Sequence, residues 1–229
     1  YPLTRVVAQS QHLAGALSAL GVQPGDRVAH LGKNSAALVI LLFACARLGC
    51  VLMPLNWRLS GKEWAWMLED AAPRVLVTLQ GYEKPAAGLG VPTFDLKSLI
   101  SNASSDDKIP DVGQGADDLL LVYTSGSTGR PKGAVHSQDA VWANAQLSVV
   151  MHDYNPDGRQ DRVLTILPMF HVGGLAIQTL AALLSGAQVR VMTAFEPQQM
   201  AVLHASFKPT LTLHVPATLQ AMLALPTWE

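Results

Sequence analysis

The chain has 229 residues, enough to bury a substantial core, and 49% of them are hydrophobic whereas only 14% are charged. Its 16 basic and 17 acidic residues give a formal net charge of -1 at pH 7, so no overall field would attract nucleic acid. The most apolar run, residues 36–46, is shorter than the roughly 20 residues that cross a bilayer, so we predict no transmembrane segment. This composition favours parallel strands covered by helices on both faces.

The two cysteines and seven histidines give no sign of a metal centre. Cys45 and Cys50 lie among apolar residues, which favours two reduced, buried thiols over a disulfide or a metal pair. We therefore expect a cytoplasmic location. The histidines show no zinc-binding spacing, so we predict no metal ligands in this chain.

The first 100 residues alternate between helical and strand patterns. Helices are predicted at residues 13–20 with Gly21 as the cap, at 36–47 after Asn34 or Ser35 as N-cap, and at 61–69 after Ser60. Strands are predicted at residues 27–30, 51–54 and 74–78. Such alternation predicts an α/β fold, with mostly parallel sheets flanked by helices.

Residues 101–118 are rich in Ser, Asn, Asp, Gly and Pro and poor in apolar residues. This composition predicts an exposed connector, and we place the main internal boundary there, between subregions 1–100 and 119–229. Beyond it, strands are predicted at 119–124, 134–137, 162–167, 188–192 and 210–214, and helices at 140–151, 174–184, 197–206 and from residue 216.

Residues 123–133 read YTSGSTGRPKG, a composition suited to binding polyphosphate. Its glycines permit backbone angles that let successive N–H groups converge on an anion, and its hydroxyls add further donors. Lys132 and Arg130 supply positive charge, and Pro131 stiffens the return of the loop. The glycines are Gly126, Gly129 and Gly133, and the hydroxyls are those of Thr124, Ser125, Ser127 and Thr128.

Composition alone leaves a second interpretation of this loop open, because mobile surface turns contain the same residue types. The string is not a Walker loop, since Lys132 is followed by Gly133 and no helix is predicted to begin there. It is not a nucleophile elbow either, because Gly126 and Gly129 are one residue too close for GxSxG.

The full order of the loop resembles the phosphate-loop signature of adenylate-forming enzymes, [YF]TSG[ST]TGxPKG, at every fixed position. A second string, LPMFHVGG at residues 167–174, resembles the aromatic-histidine segment that lines the acyl site of this family. Weaker resemblance extends through GVQPGDRVAH, NSAALVILLFACARLGCVLMPLN and VPATLQAML. The resemblance identifies residues 1–229 as the N-terminal part of the AMP-binding large domain. The later motifs, which hold Mg²⁺ and ribose and supply the catalytic lysine of the small domain, have no counterpart here.

The resemblance implies roles for particular residues. The phosphate loop would hold the β- and γ-phosphates of ATP, with Thr128 and Lys132 acting in catalysis together with His171. The remaining cofactor-binding residues would be Thr124, Ser125, Gly126, Ser127 and Gly129. The substrate-binding residues would be Phe170, His171, Val172, Gly173 and Gly174. A structural role for His171 stays open, and the two glycines either leave room for an acyl chain or ease helix packing.

The function implied by the resemblance is that of an acyl-CoA ligase. ATP and a fatty or aryl carboxylic acid would give an acyl-adenylate, and CoA would then displace AMP; Mg²⁺ would accompany ATP. We expect these 229 residues by themselves not to make acyl-CoA. The alternatives are an adenylation domain that loads another acceptor and a nucleotide-binding module without catalysis. The sequence indicates neither the acid nor the oligomeric state.

Overall fold

The computed structural model describes residues 2–102, 111–124, 131–155 and 160–226. These fold into two compact units, Tyr1–Gly32 with Ala36–Val141, and Lys33–Ser35 with Trp142–Glu229. The α/β class predicted from the sequence is confirmed. Among the described residues, no helix is both long and apolar enough to cross a membrane.

The first unit contains a six-stranded sheet in the order β4-β3-β1-β2-β5-β6, parallel throughout except for the antiparallel pair β5–β6. Its strands are β1 (Arg27–Leu31), β2 (Val51–Leu55), β3 (Val75–Thr78), β4 (Thr93–Asp95), β5 (Asp118–Thr124) and β6 (Lys132–Ser137). Its helices are α1 (Leu3–Ala19), α2 (Ala36–Leu48), α3 (Gly61–Ala71), α4 (Glu83–Ala86) and α5 (Leu96–Asn102). Helix α6 (Gln138–Met151) begins in this unit and continues into the second.

Helix ends in the first unit follow local sequence signals. Ser60, the predicted N-cap of α3, forms a capping box with Glu63, in which the Ser60 N–H donates to Glu63 Oε2 at 2.8 Å. Gly49, at φ +65°, ends α2: its N–H donates to Ala46 O, and the next N–H, that of Cys50, donates to Cys45 O. The hydrogen bond between Cys50 and Cys45 brings these two residues together at the C-terminal end of α2. Their thiols are free and buried.

The second unit is built around two parallel strands, β7 (Arg162–Thr165) and β8 (Gln188–Val191). A π-helical segment (Gly173–Leu180) runs into α7 (Ala181–Ser185), and α8 (Pro197–Phe207) and α9 (Pro216–Leu223) follow β8. The prediction of a strand at 210–214 is wrong, because in this stretch only Leu211 forms a β-bridge, an isolated one to Val163. The strand predicted at 162–167 ends at Thr165. Pro168, three residues later, has no backbone N–H to donate to a neighbouring strand.

The chain does not divide into compact units at the predicted connector. Strand β5, beyond the connector, pairs with β2, before it, through Leu52 and Leu120, so both sides belong to one sheet. The compact units separate after Val141 instead. Residues 111–118 are mostly exposed, as predicted, and residues 103–110 lie outside the described part of the chain.

Candidate functional site

The phosphate-loop string begins and ends on paired strands. Thr124 closes β5 and Lys132 opens β6, and the two residues face each other across the antiparallel ladder. The Thr124 hydroxyl donates to the Lys132 carbonyl oxygen at 3.4 Å, and both residues are exposed. The predicted phosphate-binding residues Ser125, Gly126, Ser127, Thr128 and Gly129 lie outside the described residues. The structure therefore describes the two strands that support the loop.

The position of these strands in the sheet is the one where α/β proteins bind ligands. Strands β1, β2, β3 and β5 run parallel, so Thr124 lies at their common carboxyl edge. Ligands of open α/β sheets bind outside this edge, because the loops that leave the strands converge there. Thr124, the last described residue of β5, therefore lies at an edge of the sheet that suits a nucleotide.

Tyr123, the first residue of the string, anchors the end of β5. Its hydroxyl donates to Asp70 Oδ2 at 2.5 Å, and its ring packs edge-on against Trp66 with the ring centroids 5.9 Å apart. Partial burial and the Asp70 carboxylate raise the pKa of Tyr123 well above its usual value, so the hydroxyl stays protonated and keeps donating. The sequence alone indicates no role for Tyr123, although Tyr123 is the first residue of the string.

Gly133 differs from the expectation for the loop glycines. It lies within β6, paired with Tyr123, and its φ is not positive. A side chain here would bring its Cβ within 2.7 Å of Leu121 Cδ1, so the glycine makes room for a buried leucine on the neighbouring strand. Its contribution is to packing between β5 and β6 rather than to a left-handed backbone.

The aromatic-histidine segment lies in the second unit, between the end of β7 and the π-helical segment. Met169 is fully buried, Phe170 and Val172 are half-buried, and His171 is exposed. The segment turns at Pro168, whose carbonyl accepts from the His171 N–H at 3.3 Å. The turn thus buries one side chain and leaves the imidazole open to a ligand.

The imidazole of His171 has a defined tautomer when it is neutral. Its Nδ1 accepts a hydrogen bond from the Gly173 N–H at 3.2 Å. A nitrogen that accepts carries no proton, so the proton of the neutral ring is on Nε2. Exposed His171 therefore has an N–H donor at Nε2.

The two glycines of the segment differ in what surrounds them. A Cβ on Gly174 would lie 2.5 Å from both the Leu167 and Pro168 carbonyl oxygens, so no other residue fits without moving the backbone. A Cβ on Gly173 would meet only His171 Nδ1 at 3.5 Å and Leu167 Cδ1 at 3.6 Å, which are ordinary contacts. Packing therefore requires glycine at position 174 and not at position 173.

Two buried threonines tie the π-helical segment to β7. Thr179 Oγ1 donates to Gly174 O, five residues earlier, at 2.6 Å, which matches the wider turn of a π-helix. The Thr165 and Thr179 hydroxyls lie 3.1 Å apart. In addition, Gln178 Nε2 donates to Leu164 O at 3.0 Å. These bonds fix the helix that begins directly after His171.

Asn34 contacts the same segment from a distant part of the sequence. Its Nδ2 donates to Leu167 O at 2.9 Å and to Met192 O at 3.0 Å, and its Oδ1 accepts from the Met169 N–H at 2.8 Å. Asn34 and Ser35 are the two alternative N-caps predicted for α2, and the Asn34 side chain instead contacts residues more than 130 positions away. Only tertiary structure reveals these partners.

Comparison with known proteins defines the class. The family model described as AMP-binding enzyme matches residues 4–229, so the chain belongs to that family. Indoleacetate–CoA ligase of Aromatoleum aromaticum is 40% identical over 96% of this chain and 45% of its own length. Feruloyl-CoA synthase of an Amycolatopsis species is 38% identical over 99% of this chain and 45% of its own. The chain therefore spans about half the length of the curated relatives it matches.

Solved structures agree with this assignment. o-Succinylbenzoate CoA synthetase from Bacillus subtilis, in complex with its acyl-adenylate intermediate, superposes with a TM-score of 0.84 at 30% identity, covering 95% of this chain and 56% of that one. ATP-bound MatB from Rhodopseudomonas palustris gives a TM-score of 0.83 at 29% identity, covering 96% of this chain and 45% of that one. The resemblance to adenylate-forming CoA synthetases inferred from the two motifs is confirmed.

Proposed function

We propose that the natural protein containing these residues, called here the full-length protein, is an AMP-forming acid–thiol ligase. A carboxylate oxygen attacks the α-phosphorus of ATP, pyrophosphate leaves, and the thiol of CoA then displaces AMP from the acyl-adenylate. The observation that carries the proposal is the YTSGSTGRPKG string, whose flanking strands lie at the carboxyl edge of the sheet. In this proposal, residues 1–229 are the N-terminal part of the AMP-binding large domain.

The phosphate loop supplies charge and donors to the departing pyrophosphate. Thr124 and Lys132 lie where β5 and β6 meet the loop, and Ser125, Gly126, Ser127, Thr128 and Gly129 complete it. Departure of pyrophosphate leaves negative charge on the phosphate oxygens, which preorganised N–H, O–H and ammonium groups stabilise. Mg²⁺ enters with ATP as part of the substrate. No group of three or more His, Cys, Asp or Glu side chains within the described residues is arranged to hold a metal.

His171 orients the acid rather than deprotonating it. A carboxylic acid with an ordinary pKa of about 4 is already ionised at neutral pH, so its attack on phosphorus needs no general base. The Nε2–H of neutral His171 is a suitable donor to one carboxylate oxygen, which leaves the other free to attack. Phe170, Val172, Gly173 and Gly174 form the adjoining part of the proposed acid site.

The proposed substrates are aryl or fatty acids, with aryl acids favoured. The two relatives at 40% and 38% identity are named for indoleacetate and ferulate, whereas a long-chain-fatty-acid–CoA ligase of Mycobacterium tuberculosis is 31% identical. A fatty acid–[acyl-carrier-protein] ligase of Streptomyces coeruleorubidus is 34% identical, so a carrier-protein thiol is the second candidate acceptor. We propose a cytoplasmic location, which the two free cysteines support.

Acid-dependent exchange of pyrophosphate into ATP by the full-length protein tests this proposal. The panel should contain short, medium, long and aromatic acids, without CoA. We expect exchange with aromatic or long-chain acids, and thioester formation when CoA is added. If exchange occurs but a thioester forms only with a pantetheinylated carrier protein and not with CoA, the carrier-protein thiol is the favoured acceptor. Absence of exchange with every acid, from a folded protein that binds ATP, would favour the non-catalytic module.

A further inference from the structure

We propose that Asn34 is a positioning residue for the acid site: its side-chain amide fixes the backbone of residues 167–169 and thereby orients His171. This inference rests on the proposed function of His171 as a donor to the substrate carboxylate. Asn34 lies in the short stretch Lys33–Ser35, which belongs to the same compact unit as the aromatic-histidine segment.

The hydrogen bonds of Asn34 match an amide and no other side chain of its size. Two carbonyl oxygens, those of Leu167 and Met192, take both Nδ2 hydrogens, and one N–H, that of Met169, is accepted by Oδ1. The residue is only 5% exposed, so water cannot replace these partners freely. Aspartate has the same shape but would present an oxygen to two carbonyl oxygens.

The three bonds hold the strand ends on which the histidine turn is built. Leu167 and Met169 flank Pro168, whose carbonyl accepts from the His171 N–H. Met192 follows β8, and the Asn34 N–H donates to the next carbonyl, that of Thr193, at 3.1 Å. Asn34 therefore joins the segment after β7 to the segment after β8.

His171 lies between two anchored stretches of chain. Residues 167–169 are held by Asn34 on one side. On the other side, Thr179 holds Gly174, and the Gly173 N–H binds the imidazole itself. Release of the first stretch allows the turn to shift, and the donor nitrogen of His171 then no longer points at a fixed place. A misplacement of about 1 Å is enough to slow a positioned reaction by roughly 10².

Kinetics of Asn34→Asp in the full-length protein test the positioning role. We expect kcat for acid-dependent pyrophosphate exchange to fall about tenfold or more, while KM for ATP changes less than about twofold, because the phosphate loop is untouched. Asn56→Asp is the matched control, because Asn56 Oδ1 accepts from the Arg58 N–H at 3.0 Å and an aspartate oxygen can accept the same hydrogen bond. Asn34→Ala, which buries no charge, is measured alongside, and thermal melting checks that each variant is folded.

The NMR spectrum of the full-length protein labelled with ¹⁵N-histidine gives a readout that does not need activity. The His171 signal is identified by its loss in His171→Gln, and we expect protonated Nε2 and unprotonated Nδ1 in the wild type. Asn34→Asp and Asn34→Ala should change this signal, and Asn56→Asp should not. A folded Asn34 variant with an unchanged His171 signal would overturn the positioning role, whether or not the wild type activates an acid. Absence of acid-dependent exchange in the wild type would overturn only the proposed function.

Discussion

Replacing Lys132 with alanine in the full-length protein should lower the rate of acid-dependent pyrophosphate exchange by about 10², with a much smaller effect on ATP binding. The side chain is exposed at the first residue of β6, opposite Thr124, where the phosphate loop rejoins the sheet. In the proposed reaction, a lysine there neutralises charge that accumulates as pyrophosphate leaves, so its loss would affect the transition state more than the bound ground state. Thr128→Ala removes one hydroxyl from the same proposed cradle and should act in the same direction.

Two controls separate a phosphate role of Lys132 from a structural one. Lys97→Ala removes an exposed lysine from α5, which follows β4 at the opposite edge of the sheet, and should leave exchange unchanged. Supplying pre-formed acyl-adenylate with CoA bypasses the first step, and Lys132→Ala should then form thioester at the wild-type rate. Equal loss in both steps would mean that Lys132 supports the fold rather than the phosphates.

Replacing Gly174 with alanine should destabilise the protein, whereas the same change at Gly173 should not. The added Cβ at position 174 would lie 2.5 Å from two backbone carbonyl oxygens, and backbone atoms cannot rotate away as a side chain can. Overpacking of this kind costs about 1–3 kcal/mol, and thermal unfolding should show a lower Tm. At position 173 the nearest atoms are 3.5 Å away, so the Tm should stay within about a degree of the wild type. Equal Tm losses in the two variants would contradict the packing requirement assigned to Gly174.

Local signals predicted much of the fold. Gly21 and Gly49 end helices with the positive φ that their positions required, at 83° and 65°, and Ser60 forms its capping box with Glu63. The alternation of strand and helix then predicted the parallel sheet. Elements without such signals were missed: α4, β4 and α5, between residues 83 and 102, are too short for periodicity to reveal them. Strand β4 is placed by its pairing with β3.

The candidate site was predictable where its residues are contiguous. The phosphate string predicted Thr124 and Lys132 as members of one binding loop. In the structure, β6 begins at Lys132, two residues before the predicted strand, and Lys132 pairs with Thr124 of β5. The roles of Ser125, Gly126, Ser127, Thr128 and Gly129 stay predictions, because these residues lie outside the described part of the chain. No local pattern reveals that Gly174 meets a backbone seven residues earlier, or which imidazole nitrogen of His171 accepts a bond.

Asn34 illustrates the limit of local reasoning. Its place before an apolar helix suggested an N-cap, which is what asparagine does most often at such a position. The side chain instead forms hydrogen bonds with the backbone of Leu167, Met169 and Met192, which come close to Asn34 only in the folded chain. The sequence therefore indicated correctly that the Asn34 side chain forms hydrogen bonds. It did not indicate the partners of those bonds, on which the role of Asn34 depends.

Oxygen transfer from the acid to AMP reports directly whether the carboxylate attacks the α-phosphorus of ATP. The full-length protein is incubated with ATP, CoA and an aryl acid that carries ¹⁸O in both carboxyl oxygens, and the products are weighed by mass spectrometry. If a carboxylate oxygen attacks the α-phosphorus, CoA must later cleave the bond between that oxygen and the acyl carbon. The proposed attack on the α-phosphorus therefore predicts one ¹⁸O in AMP and one in the thioester. Thioester formation with unlabelled AMP, or with label in orthophosphate and ADP as the nucleotide product, would contradict it.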